Sequence, residues 1–493
     1  MTASSGGDVT LRNVRPYDGG EPVDVVVREG VIARIAPAGA TDAEGEVVDA
    51  GGRWIGPGMW DGHVHFTQHV IRRRRVDLTE TRSADDVLDV VRRARAEGAP
   101  LSDGMLMGYG FRDGLWPVPA SLDALDAAVS DVPVVLVSGD LHCGWMNRAA
   151  ARRFGLALDE TGLLREGPWI QLLHSFDQAG DLPHSAYREA ADDAASRGIV
   201  GIVEYEKTDN VAEWSERTAA GITSLRADIA VWSDRLESVI SDGRRTGDVV
   251  DEQGLITFGR LKVIVDGSLN TRTAWCWDPY PGMDPAHPHA CGMESVPIPE
   301  LRRLLERARG AGIEAAVHAI GDRANTEVLD TFEALGMKGV IEHAQLVRED
   351  DFARFARLGL IASVQPEHAM DDRDVADHHW AGRTGRAFAF GSLHRAGVSL
   401  RLGSDAPVAP LDPWISLSAA TARSRGDRDA WHPEQRLPLD VALAASVRTS
   451  LAVGQPADLV ISDRDPYASD RDELREMQVA ATLLGGRFTW RTI

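Results

Sequence analysis

The sequence predicts an α/β protein: a (β/α)8 barrel of the TIM type joined to a small β-sandwich domain formed by the N- and C-terminal segments. Three observations carry this. From about residue 198 onward, short apolar runs alternate with amphipathic helices, the pattern of a parallel sheet with crossover helices. Seven such runs, with an earlier one that ends at His63, make eight strands, the number of a closed barrel. Both chain ends show short stretches alternating apolar and polar residues, as in antiparallel strands, and neither end could cover its own sheet edges.

In chain order, VTLRNV, VDVVVREGVIARI and EVVDAGGRWI form the first half of the sandwich, and ADLVISDRDP with ATLLGGRFTW forms the second. This assigns residues 1–57 and 447–493 to the sandwich and 58–446 to the barrel. The run WIGPGMWDGHVH, Trp54 to His65, is the first barrel strand, ending in His63-x-His65. Residues two apart in a strand share a face, so both imidazoles project together, as a divalent metal needs. Ser83 to Gly98 reads as a helix, with Ser83 as cap and Val87, Leu88 and Val91 on one face. Residues from about 67 to 190, including VPVVLVS, form an α/β insertion, because the strand count closes without them.

The remaining barrel strands are GIVGIVEY, SLRADIAVW, LKVIVDG, EAAVHAIG, GVIEHAQ, LIASVQP and VSLRLGSD. Glu300 to Arg309 is one of the helices between them, with Leu301, Leu304, Leu305 and Ala308 inward. In this fold, chemistry sits where strands end. Those ends carry Lys262, His318, His343 and Asp405, each in or just after an apolar run where an unpaired polar group is costly. Lys262 is conspicuous because the 53 basic residues include only Lys207, Lys262 and Lys338 as lysines. An ion pair with Asp266 is the alternative reading of Lys262.

A chain of 493 residues with 43% apolar and 26% charged residues suits a large barrel plus a smaller domain. Its net charge of -22 argues against nucleic acid or anionic membrane as a partner. The basic run Arg72 to Arg75 reads as a solvated or loop segment. No stretch reaches transmembrane length, and the polar opening from Met1 to Asp8 lacks a signal-peptide core. Cys143, Cys276 and Cys291 have no paired spacing, so reduced thiols in a cytoplasmic protein are expected. A small-molecule substrate is the expected partner, and a homodimer the default assembly.

The strand-end set resembles the amidohydrolase superfamily, and within it the family 3 branch that contains N-substituted formamide deformylases. The stretches that carry the resemblance are PGMWDGHVH, GDLHCGWMN, LKVIVDGSLNTRTA, VHAIGDRAN, IEHAQ, SVQPEH, GSDAPV and GQPADLVISDRDP. Glu204 departs from the pattern, which has Asp there, and the segment between Val447 and Gly454 is short for it.

The resemblance implies two divalent metal ions, with zinc favoured and manganese, iron or cobalt open. His63 and His65 would hold the more buried ion, and His318 and His343 the second. Lys262, carboxylated on its amine, would bridge them, with Lys207 in polar EYEKTDN as its rival. Asp405 would bind the first ion and shuttle the proton for a hydroxide held between the two. The implied activity is hydrolysis of a non-peptide carbon–nitrogen bond: an amide, an N-substituted formamide or a cyclic amide or imide. Ester, lactone or carbamate hydrolysis at the same centre is the alternative, and a silent binding protein a third. His368, in QPEH, is a candidate to bond the substrate or its oxyanion, or only to orient a ligand. Asp140, His142, Trp145 and Asn147 in GDLHCGWMN, together with Arg272 and Glu204, are candidate substrate contacts. His287, His289, His378 and His379 read as loop or exposed, and Asp61 as orienting a ligand.

Overall fold

Trp54–Pro57 pairs antiparallel with Leu459–Ser462, so that Ile55 lies opposite Ile461 and the two chain ends meet in one sheet. The computed structural model describes residues 7–493 except 41, 112, 114–115, 139–142, 166–168, 170–171 and 173–181. The terminal sheet has eight strands; Val479–Leu484 and Arg487–Arg491 extend it on one side, Val9–Pro16, Val23–Arg28 and Val31–Pro37 on the other, and Glu46–Asp49 pairs with the first of these. Leu11, Val25, Val27 and Ile32 from one half pack against Leu459, Ile461 and Leu483 from the other, which is why neither half suffices alone. The sandwich is thus one ribbon of strands folded over a shared core.

The barrel strands are Met59–Val64, Ile199–Glu204, Arg226–Trp232, Ile256–Ile264, Ala315–Ala319, Gly339–His343, Ile361–Val364 and Ser399–Leu402, parallel and in sequence order. A parallel bridge between Val64 and Ala406 brings the last strand against the first. The lysine strand begins already at Ile256, ahead of the apolar run that announced it, because Ile256, Thr257 and Phe258 pair with the preceding strand.

The chain divides into two compact units, Met1–Phe66 with Ala191–Ile493, and Thr67–Ala190. The second holds a five-stranded sheet in the order Leu163–Arg165, Cys143–Met146, Val134–Ser138, Leu106–Phe111, Val76–Asp77. Its helix Ala84–Ala96 starts at Ser83, whose hydroxyl accepts the Asp86 N–H, while Asp86 reaches back to the Arg82 N–H. Arg72 and Arg73 end the helix Phe66–Arg73 instead of lying in a loop, where they complement the helix dipole. In the first unit, helix Ile298–Gly310 buries Leu301, Leu304, Leu305 and Ala308. Among the described residues, no helix is long and apolar enough to cross a membrane.

Candidate metal centre

Asp61 stitches the first and last barrel strands together. Its buried carboxylate accepts the backbone N–H of His63 at 3.0 Å and of Ser404 at 2.9 Å. The His63 carbonyl accepts from Asp405 N at 2.8 Å, and His65 N donates to Ala406 O at 2.8 Å. These bonds deliver Asp405 to the His-x-His pair: its Oδ1 lies 3.5 Å from Nε2 of both His63 and His65. Asp405 itself adopts a left-handed backbone (φ 56°), as do His343 (73°) and Ala344 (43°). Such conformations cost on the order of 1–3 kcal/mol each and cluster at functional sites.

His63, His65, Lys262, His318, His343, His368 and Asp405 line one cavity of about 340 Å³ at the C-terminal ends of the strands. The His63 ring lies 5.0 Å from His343 and 5.5 Å from His65, and His318 lies 4.5 Å from His343. His368 stacks 6.3 Å from His343, with its Nε2 3.9 Å from Asp405 Oδ2. Burial, seconded by the Lys262 charge, holds His63 well below the usual imidazole range, His65 at about 4 and His318 at about 3. Burial also lowers His368 to about 4, and lowers His343 with help from His318 and His63. All five imidazoles are therefore neutral at pH 7 and offer lone pairs.

Lys262 Nζ is buried without a hydrogen-bond partner, 4.2 Å from the Tyr205 ring centre. Burial lowers its pKa, against the pull of Glu342 and Asp405. Among the described residues it makes no ion pair with Asp266. That carboxylate is taken by the N–H groups of Trp275, Ile320 and Gly321 at 2.8 to 3.0 Å. Lys207 is exposed, 5.8 Å from the Trp232 ring, away from the cavity lining.

A metal ion fits this donor set. His63, His65 and Asp405 place one ligand atom each within 4.8 Å of one another, and so do His343, His368 and Asp405. Buried His343 Nδ1 and His368 Nε2 lack hydrogen-bond partners, as ligand atoms awaiting a cation would. The expected set had paired His318, not His368, with His343; the geometry adds His368.

Glu342 and Tyr205 escaped the sequence reading. Glu342 Oε2 lies 2.7 Å from His63 Nδ1, and Oε1 accepts the Tyr205 hydroxyl at 2.7 Å. Glu342 directly precedes His343 in IEHAQ, the one signal that could have marked it.

Four of the expected substrate contacts have other surroundings in the structure. Glu204 is fully buried, and its oxygens accept from Phe66 N, Glu206 N and Trp214 Nε1, which secures the start of helix Phe66–Arg73. Burial, then Glu206, pushes it up to about 7. Asn147 caps helix Arg148–Phe154 and donates to Val129 O and Val132 O. Trp145 is buried in its own unit's core against Trp116 and Phe111. Arg272 is exposed on the loop after the lysine strand and does not line the cavity. Asp140 and His142 lie outside the described residues.

A family model described as the amidohydrolase family matches residues 46–490. The chain belongs to the amidohydrolase family. It is accordingly an enzyme, a hydrolase acting on carbon–nitrogen bonds. It is 27% identical to a putative amidohydrolase, YtcJ, of Bacillus subtilis (strain 168), over 91% of each chain. It is also 27% identical to an N-substituted formamide deformylase of Arthrobacter pascens, over 91% of this chain and 90% of that one. An uncharacterized metal-dependent hydrolase from Pyrococcus horikoshii OT3 shares the fold, with a TM-score of 0.77 at 23% identity, over 94% of this chain and 99% of that one.

Proposed function

We propose that this amidohydrolase cleaves an amide, an N-substituted formamide or a cyclic amide or imide with the help of two divalent ions, zinc being favoured by the imidazole and carboxylate donors. The observation that carries the reading is the buried, unpartnered Lys262 amine amid five lone-pair-bearing histidines and Asp405 in one cavity. His63, His65 and Asp405 would hold one ion, and His343, with His318 or His368, the other. Lys262, carboxylated, would bridge them, since a bare amine cannot serve two cations. When bound, the ions supply a Lewis acid and ionise water near neutral pH.

The chain's own groups do the rest. Burial pushes Asp405 up to about 7 in the metal-free protein, against the opposing Lys262 charge, and beside the ions its carboxylate would be the group to take up and release the proton. Its Oδ1 faces His63 and His65 while Oδ2 faces His368, which lets it pass that proton from water to the leaving nitrogen. Where His318 completes the second ion's ligands, His368 in its Nε2–H tautomer can donate to the developing oxyanion. Leu269, Ile264 and Ile320 in the lining would keep water from the scissile bond. The free thiols of Cys143, Cys276 and Cys291 support a cytoplasmic setting, and a homodimer is the default assembly.

The test combines elemental analysis of purified protein with a panel of simple formamides, amides, imides and esters. Metal content of one to two ions per chain, and turnover of nitrogen-linked substrates ahead of the esters, is expected. Ester-only turnover, or full activity without metal, overturns the reading.

A further inference from the structure

Above the histidine cluster the cavity changes character. Its remaining polar lining is Ser268, Asn270, Gln345, Asp371 and Asp372, and among the described residues no arginine lines it. Gln345 is 4% exposed, and its side-chain oxygen is buried without a hydrogen-bond partner. A buried acceptor left unpaired inside a fold is costly, so one on a residue that lines a cavity marks a place where a ligand donor belongs. Asp372 receives only the neutral amide of Asn270, at 3.2 Å, whereas Asp371 is held by Arg425 at 2.6 Å. Among the described residues, the only cation paired with this wall is Arg425, which is also bound to buried Glu367 at 2.7 Å.

From the convergence of Gln345 and Asp372 on this wall, we infer that the cavity selects substrates whose group remote from the scissile bond is a cationic hydrogen-bond donor, such as a protonated amine or a guanidinium. This rests on the hydrolase reading above. The two residues offer acceptors and one uncompensated negative charge. A remote carboxylate would face Asp372 and the Gln345 oxygen with no cation to pair it. Asp372 discriminates by charge, while Gln345, deeper and uncharged, fixes the orientation of a donor N–H.

Matched N-formyl compounds test this, identical except for a remote ammonium, methyl or carboxylate group. The metal-loaded enzyme should favour ammonium over carboxylate by at least about tenfold in kcat/KM, the order that one charge-assisted hydrogen bond supplies. Asp372→Asn should shrink that ratio about tenfold. Gln345→Leu should raise KM for the ammonium compound while raising Tm, because it removes the orphaned acceptor; a merely structural Gln345 would lose Tm instead. A ratio near one, or a ratio untouched by both substitutions, overturns the inference. If no compound is hydrolysed, the hydrolase reading fails separately. Calorimetric binding of the same three compounds then decides the charge preference: tighter binding of the ammonium compound sustains it, and equal binding ends it.

Discussion

Glu342 holds His63 by its Nδ1, at 2.7 Å, with both side chains only 1% exposed. A carboxylate can only accept, so the hydrogen sits on Nδ1 and the Nε2 lone pair is left to face Asp405. The Tyr205 hydroxyl fixes the other Glu342 oxygen and sets the carboxylate plane. Glu342→Gln replaces an oxygen acceptor with an amide that can turn its N–H toward His63. Metal affinity should fall about 10–100-fold, read by chelator competition, and Tyr205→Phe should cost less. A Glu342→Gln protein that loads metal like the wild type would remove this residue from the centre.

The first and last strands approach so closely that a Cβ on Gly403 would stand 2.7 Å from His63 N and 3.0 Å from its Cβ. Both are backbone or backbone-proximal atoms that cannot swing aside. Gly403→Ala should therefore destabilise by about 1–3 kcal/mol, as overpacking does. It should also lower metal content, because the bond from Asp405 N to His63 O spans the same gap. Denaturant titration with metal analysis of the folded fraction checks both.

The candidate ligands were legible for one physical reason: each is polar and stands where an apolar strand runs out, so packing alone does not explain it. Glu342 was not legible because strand alternation sends it and His343 to opposite faces. The left-handed His343 breaks that alternation at the strand's end, and both side chains serve the barrel interior. Glu204 and Asn147 misled for the converse reason. Polar residues at strand ends also cap helices, and nothing in a single sequence separates a buried cap from a catalytic group. The terminal sandwich was readable because period-two alternation survives at both chain ends. That its halves form one continuous ribbon depends on the pairing of Ile55 with Ile461, which no local pattern encodes.

His368 provides a pH test. Burial places it at about 4 in the folded protein, against about 6.5 for an unperturbed imidazole. Between those values the unfolded chain binds more protons, so this residue's contribution to stability rises with pH across that window. It is complete above about 6.5 and lost as pH falls through about 4. Chelator-treated protein that keeps His368 should lose roughly 3 kcal/mol relative to His368→Gln on going from pH 7 to pH 4, because each tenfold loss of proton affinity on folding is worth about 1.4 kcal/mol. Asp61 and Asp266 are shifted upward and act in the opposite sense, but they are common to both proteins and cancel in the difference; Asp405, 3.9 Å from His368, is held constant by making both proteins on an Asp405→Asn background. Parallel urea titrations at several pH values give that difference, and a flat one would show His368 to be solvated.

The turn that presents His368 is itself clamped. Buried Glu367 receives Arg475 at 2.6 and 3.0 Å and Arg425 at 2.7 Å. Arg475 ends the helix Arg471–Arg475, between the sandwich strands Leu459–Ser462 and Val479–Leu484, so the clamp ties a distant part of the chain to the site. Removing one arginine leaves Glu367 paired, and Arg475→Met should cost about 1–3 kcal/mol. Removing both strands a buried charge, and the double variant should lose more than the two single losses added, in the range of about 3–5 kcal/mol. Since Glu367 adjoins His368, kcat should fall about tenfold in Arg475→Met with little change in KM, as expected when a group is mispositioned for the transition state. Additive stabilities together with an unchanged kcat would mean that Glu367 merely neutralises two arginines and leaves His368 to find its own place.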